Sequence, residues 1–303
     1  MQWIAIYKFK EKESDIVEKA ISVVGGDLRI IKLIEMLVSD EYKVFTYALE
    51  NSEELQNMNN VEMCPTIEEA VSHSKVVVGP IPLSSDRKRI SAPFGRNNIE
   101  LTDFVKALNG KYLIAGNINI KEELENAGVS YTDLLKREEF TVLNTIATAE
   151  GTIQIAMEET QRTIHGSKVL VMGFGRIGKV LAKMLDGIGV DVYCEARKNE
   201  DIAWIKAYGY KPIHLNNLNE NLGKFDIVIN TIPFQILDNE RLDLLKKDLV
   251  IIDLASNPGG VDRKAAREKK LKLIWALSLP GKVAPLTSAE FIKETIYHVL
   301  KEL

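Results

Sequence analysis

The chain has 303 residues, 46% hydrophobic and 27% charged, with a formal net charge of -4, long enough for two domains that each bury a core. This mildly acidic balance gives no reason to expect a nucleic-acid partner, and no run approaches the about 18 uninterrupted apolar residues of a membrane span. Two cysteines, Cys64 and Cys194, lie in different predicted domains without partner spacing and suggest neither a disulfide framework nor a metal site, while Met1 to Lys10 lack a signal-peptide pattern, so the cytoplasm is the expected compartment.

Ahead of Gly166, short apolar runs alternate with longer helical patterns, which predicts a mostly parallel, smaller α/β domain of Rossmann-like type over residues 1–147. Strands are expected at 20–24, 43–48, 75–79, 112–115 and 139–143, and helices at 27–38, 66–72, 99–108, 121–127 and 131–136. The connection 80–96 carries Pro80, Pro82, Pro93 and Gly95 and is too long and polar for a simple turn, so it reads as functional or mobile. Its Arg87-Lys88-Arg89 run reads as a solvated loop.

Residues 148–165 read as an amphipathic helix that links the domains, with Ile153, Ile155, Ala156, Met157 and Ile164 as its apolar set and His165-Gly166 as its end. Residues 166–286 then read as a second domain, with strands at 168–172, 191–194, 211–213, 227–230, 249–253 and 272–276, the six of a Rossmann fold. Residues 287–303 are predicted to form a terminal helix that begins with Thr287 or Ser288 as N-cap and returns to close the first domain.

The first strand of the second domain runs into Gly173-Phe174-Gly175-Arg176-Ile177-Gly178 and then a helix over 179–185. Gly173 permits the tight turn, Gly175 lets backbone N–H groups approach phosphates, and Gly178 lets helix and strand pack closely. This is the pattern of a dinucleotide site. The next strand should end in an acid if a ribose 2′-hydroxyl is to be held. That tip aligns with Ala196, followed by Arg197 and Lys198, two cations that favour a 2′-phosphate and therefore NADP over NAD. Glu195 is the competing ribose acid by counting, but it points to the face opposite Ala196.

Three later runs fall at strand ends, where open α/β sheets bind ligands. Asn230-Thr231-Ile232-Pro233 is stopped by proline and offers backbone and hydroxyl groups along the cofactor edge. Leu254-Ala255-Ser256, followed by Asn257-Pro258-Gly259-Gly260, offers small residues against which a nicotinamide ring can lie. Leu279 to Thr287, with Pro280, Lys282 and Val283, reads as a rigid turn before the final helix.

These strand ends, together with Asn144-Thr145-Ile146-Ala147-Thr148-Ala149-Glu150-Gly151-Thr152-Ile153 and Thr163-Ile164-His165-Gly166-Ser167, resemble the family of the dipicolinate synthase A subunit. The resemblance runs most clearly from Asn144 to Thr287; in the first domain it rests on Val24-Gly25-Gly26-Asp27-Leu28-Arg29, preceded by an extension of roughly twenty residues outside the pattern. It implies NADP-dependent oxidation of a dihydrodipicolinate, formed from 4-hydroxy-tetrahydrodipicolinate, to pyridine-2,6-dicarboxylate. It also implies the flavoprotein-like B subunit of dipicolinate synthase as partner and a role in the mother cell of a sporulating bacterium, and a homo-oligomer is expected.

Such a dicarboxylate needs cations or clustered donors, for which Arg29, Arg96 and Lys282 are the candidates. Thr148 and Glu150 are expected at the start of the linking helix facing the cleft, Thr148 as a donor and Glu150 either accepting a proton or capping the helix, with Ser256 donating near the ring. A nucleotide-binding scaffold without hydride chemistry, or a dehydrogenase of another small carboxylate, are the other readings. The plan is more distantly similar to 2-hydroxyacid and methylenetetrahydrofolate dehydrogenases. A 2-hydroxyacid dehydrogenase would place a histidine near the last Rossmann strand, where none of His73, His165, His214 and His298 lies; the Tyr-x-x-x-Lys of a folate enzyme occurs only at Tyr297 and Lys301, in the terminal helix.

Overall fold

The computed structural model describes residues 19–303, so the readings of Met1 to Lys10 and of the extension ahead of the first strand lie outside the described residues. From Lys19 the chain alternates strand and helix: β1 (Ala20–Val24), α1 (Leu28–Ser39), β2 (Lys43–Tyr47), α2 (Glu53–Gln56), β3 (Val61–Met63), α3 (Ile67–Ser72), β4 (Val76–Val78), α4 (Leu101–Ala107), β5 (Tyr112–Ala115), α5 (Lys121–Asn126) and β6 (Ser130–Asp133). All six strands pair in parallel, in the order β3-β2-β1-β4-β5-β6.

A long helix, α6 (Glu138–Glu159), carries the chain to the second sheet. There follow β7 (Lys168–Met172), α7 (Arg176–Gly187), β8 (Asp191–Ala196), α8 (Asn199–Ala207), β9 (Lys211–His214), β10 (Ile227–Asn230), α9 (Asn239–Asp243), β11 (Val250–Asp253), α10 (Arg263–Glu268), β12 (Lys272–Trp275), α11 (Leu279–Val283) and α12 (Pro285–Glu302). Its order, β12-β11-β10-β7-β8-β9, repeats that of the first sheet, so both are doubly wound with the strand order of the Rossmann fold. Strands such as β10 and β11 are buried at every residue, because a parallel sheet has helices on both faces and no solvent side.

Helix α12 puts Ala289, Ile292, Ile296 and Val299 into the core that also holds Ile30, Ile34 and Leu37 of α1. Lys293 Nζ and Tyr297 Oη both donate to Asp40 Oδ2, at 2.8 and 2.6 Å, and fix the end of α1 to it. Among the described residues no helix is long and apolar enough to cross a membrane.

Several local expectations are corrected. Residues 139–143 are the opening of α6, not a strand: a short apolar run is ambiguous by pattern alone, and here Phe140 is buried while Val142 is exposed. Residues 131–136, read as helix, instead supply β6 beside β5, with a single 3-10 turn over Leu134–Lys136, because the open edge of β5 takes up an extended segment. β3 is three residues long and carried no usable pattern. Helix α6 begins ten residues before the predicted 148 and ends at Glu159, so Gly166 (φ +75°) is not its cap; it turns the chain into β7. The expected turn at 279–283 is the short helix α11, and α12 starts at Pro285, which leaves Ser288 inside it, donating to Pro280 O at 3.2 Å rather than capping.

Candidate active site

The carboxyl edge of the second sheet is built around β7. Gly173 has φ +89°, and a Cβ there would stand 2.6 Å from Thr231 Oγ1 and 2.8 Å from Ile232 Cγ1, so the loops after β7 and β10 touch through this glycine. At Gly178 a Cβ would meet Gly173 O at 2.1 Å, which sets the close approach of α7 to its strand. At Gly175 it would meet nothing within 4 Å. Gly175 is also the N-cap of α7, with no side chain capping it and no acid in the first turn, so the helix presents open backbone donors and positive potential to the cleft. This cradle fits a dinucleotide pyrophosphate. Phe174 lines the adjoining groove while its ring lies against Tyr208 and Tyr210, and Ile177 packs into the core behind it.

Beside the cradle lies a groove of about 570 Å³ bordered by Gly173, Glu195, Arg197, Ile232, Phe234 and Arg241. Ala196 ends β8 and, though buried, lines the groove together with the exposed Arg197 and Lys198. The two cations differ. Lys198 Nζ is paired with Glu200 at 3.1 Å, whereas the Arg197 guanidinium donates to no described residue.

Glu195 borders the groove but is only 1% exposed, and its Oε2 accepts from Gly173 N at 3.3 Å. Burial pushes its carboxyl above the ordinary carboxylate range, against the pull of that hydrogen bond and of His214, Arg241 and Arg197. Sequence reasoning passed over Arg241 and Phe234 in this groove. Arg241 Nη1 donates to Ile236 O at 2.8 Å, in the loop just ahead of α9, and Nε to Asn219 Oδ1 at 2.9 Å, a contact with an earlier segment that no local motif signals.

The other two strand ends are braced by a buried pair. Asn230 Nδ2 donates to Asp253 Oδ1 at 2.8 Å and to Ile232 O at 3.0 Å, and Thr231 Oγ1 donates to Met172 O at 2.8 Å. These side chains therefore serve the sheet edge rather than being offered to a ligand as expected, which leaves Ile232, exposed Pro233 and backbone facing the groove. Asp253 also accepts from Ala255 N at 3.1 Å and Gly260 N at 2.9 Å, shaping the loop in which Leu254 and Ala255 are buried and Ser256 is exposed. Pro280 is buried, and Val283 with Leu279 packs on α6 at Gly151, where a Cβ would stand 3.1 Å from both Val283 methyls.

Across the cleft, Arg29 is buried in the first turn of α1. Its Nε donates to both Asp27 oxygens at 3.0 and 3.1 Å, its Nη2 to Asp27 Oδ2 at 2.7 Å and to Ile81 O, and Nη1 has no partner among the described residues. Helix α11 covers this pair through Gly281. Arg96 and Lys282 are exposed, with Arg96 N tied to Glu50 Oε2 at 3.1 Å. Arg176, next to Gly175, pairs with Glu138 of α6 at 2.8 Å.

Thr148 and Glu150 are not at a helix start. They lie in the middle of α6, and two residues along a helix is a turn of about 200°, so they occupy nearly opposite faces and cannot both face the cleft. Thr148 Oγ1 donates back to Asn144 O at 3.1 Å; Glu150 is exposed beside Gln154 and Met157. Asn144 Oδ1, one turn before Thr148, is buried without a partner among the described residues, as is Asn119 Oδ1 in the first domain.

A smaller hollow of about 360 Å³ lies at the opposite, amino edge of the second sheet, by Ser167, Asp226 and Lys272. Strand carboxyl ends, not amino ends, collect the loops that bind ligands in such sheets, so the cradle and its groove are the candidate site.

Relatives in sequence and in structure share this two-domain fold. Residues 20–135 match the family model of the N-terminal domain of the dipicolinate synthase A subunit, and residues 143–266 that of the D-isomer specific 2-hydroxyacid dehydrogenase NAD binding domain. The chain is 30% identical to the A subunit of dipicolinate synthase from Bacillus subtilis over 93% of its own length and 96% of the relative's. It is similar to the crystal structure of the dipicolinate synthase A subunit from Bacillus halodurans, with TM-score 0.86 and 26% identity over 95% of this chain and 99% of that one. The crystal structure of the Bacillus subtilis protein gives 0.84 and 29% over 95% and 97%.

Proposed function

The chain belongs to the family of the dipicolinate synthase A subunit and is an NAD(P)-dependent oxidoreductase of dipicolinate synthesis, and from that premise we propose that it oxidises a dihydrodipicolinate to pyridine-2,6-dicarboxylate with NADP. The observation that carries the choice of NADP is the contrast at the end of β8: Arg197 is unpaired among the described residues at the groove mouth, while the neighbouring acid, Glu195, is buried and turned onto Gly173 N.

In this reading, Gly173, Gly175 and Gly178 with the first turn of α7 hold the pyrophosphate, aided by Arg176, and Arg197 takes the 2′-phosphate. The loop ends at 230–233 and 254–256, with Pro280 and Val283, border the nicotinamide, which when bound supplies the hydride acceptor. The substrate loses one hydride and one proton, and aromatisation drives that loss, so the protein need only position a planar dianion and let the proton leave. Arg29 anchors one carboxylate through its unpaired Nη1, with its orientation set by Asp27 and Ile81. Lys282, Arg96 and Ser256 serve the second carboxylate and the ring from their exposed positions, and Thr148 the cleft face of α6. Glu150, on the opposite face of that helix, is left out of the chemistry.

The first domain then carries the substrate and the second the cofactor. The flavoprotein-like B subunit as partner, assembly as a homo-oligomer and work in the cytoplasm of the mother cell of a sporulating bacterium complete the same reading. To test it, the purified chain, with and without its partner, is mixed with freshly made precursor and NADP. Dipicolinate and NADPH absorbance should rise together in step; silence in both samples rejects the proposal.

A further inference from the structure

At the outer edge of the first sheet, far in sequence from the glycine cradle, four side chains with metal-ligand chemistry converge. Glu62 and Cys64 are two residues apart on and just after β3, so they share one face of an extended strand. Glu69 and His73 are four apart along α3 and its C-cap, so they share one face of a helix turn. One ligand atom from each lies within 4.8 Å of every other. We propose that Glu62, Cys64, Glu69 and His73 bind a thiophilic divalent cation, zinc in particular, that ties edge strand β3 to α3.

The surroundings favour a bound ion over a fortuitous cluster. The His73 ring is stacked on the buried Phe45 ring, with centroids 4.0 Å apart and planes 10° from parallel, so the imidazole is held in orientation without using its nitrogens. Among the described residues, neither those nitrogens nor the Glu69 carboxylate has a hydrogen-bond partner. Cys64 is buried beside Phe45 and Ala70, and its thiol makes a weak donation to Glu62 O at 3.8 Å.

The donor set selects the metal. One thiolate, one imidazole and two carboxylates suit tetrahedral zinc, whereas magnesium and calcium want oxygen alone. Zinc bonds of about 2.0 to 2.3 Å place ligand atoms about 3.6 Å apart, so the exposed Glu62 and Glu69 chains close in by about 1 Å. Such a site keeps one negative charge in excess. Lys43 Nζ, 3.4 Å from Glu62 Oε2, stands where that charge is balanced. Since β3 pairs with β2 and has no second neighbour among the described residues, the ion would fasten a three-residue strand held on one side.

The test is titration of the reduced, chelator-treated full chain with Co2+, read by its absorption spectrum. A single equivalent should produce a thiolate-to-cobalt charge-transfer band with tetrahedral d–d intensity, and Zn2+ should abolish both. Cys64→Ser should remove the band and Cys194→Ser should keep it. His73→Ala, at an exposed position that does not threaten the core, should weaken binding by at least the about 10- to 100-fold that loss of an outer-shell partner costs. No band in the wild-type chain, or a band indifferent to both Cys64→Ser and His73→Ala, rejects the site.

Discussion

Gly281 lies against Arg29: a Cβ on the glycine would stand 3.0 Å from Arg29 Nε and equally close to Asp27 Oδ2. The last segment before the terminal helix thus rests on a buried cation of the first domain. Because that guanidinium is held by Asp27 and Ile81, it has little room to move away. Gly281→Ala should raise KM for the proposed dicarboxylate substrate several-fold. Stability should change little, as the alanine's helix propensity, worth up to about 1 kcal/mol, offsets the crowding. Steady-state kinetics with a thermal melt checks both; an unchanged KM would detach Arg29 from substrate binding.

Arg197→Ala should weaken NADP by about 1.5 to 3 kcal/mol, or roughly 10- to 150-fold, and leave NAD nearly untouched. Lys198→Ala should cost less, since its ammonium is already engaged by Glu200. Calorimetric titration with each coenzyme decides the matter, and equal losses for both would move the 2′-phosphate elsewhere.

Glu195 predicts a pH dependence. Its folded-state carboxyl is raised above the ordinary 4.5 by burial, so the fold favours the neutral form. The stability this contributes is complete below about pH 4.5 and is lost as pH rises through the raised value. Glu195→Gln keeps an acceptor for Gly173 N and removes the charge. Its Tm should exceed that of the parent at pH 8, by about 2 to 4 °C for each kcal/mol recovered, with the advantage vanishing toward pH 4. NADP should also bind more tightly. A parallel pH profile in both proteins would contradict the assignment.

Asp253→Ala should destabilise the second domain by about 3 kcal/mol or more, because Asn230 Nδ2, Ala255 N and Gly260 N all lose a buried acceptor. Urea denaturation followed by tryptophan fluorescence is a direct readout, since Trp275 donates to Ala255 O in the same loop. A loss below about 1 kcal/mol would mean that water replaces the carboxylate.

What could be read from the linear chain was whatever local chemistry enforces. Gly173, Gly175 and Gly178 announce their cradle because the turn, the phosphate approach and the helix contact each call for a missing side chain, and the apolar runs of β1, β7, β10 and β11 announce buried parallel strands because both of their faces must be covered. The same amino-acid order left 131–136 and 139–143 interchangeable between helix and strand, since a few apolar residues satisfy either period until the neighbour that covers them is known. A helix that starts at 148 puts Thr148 and Glu150 together at its first turn, whereas α6 starts at Glu138 and carries them on nearly opposite faces of its middle. Tertiary structure alone decided that Asn230 faces Asp253, that Glu195 turns onto Gly173, that Asp27 takes up most of Arg29, and that Cys64 meets His73. Each of these depends on which elements pack side by side, and such pairings come from the burial of whole helices and sheets rather than from any short run of residues.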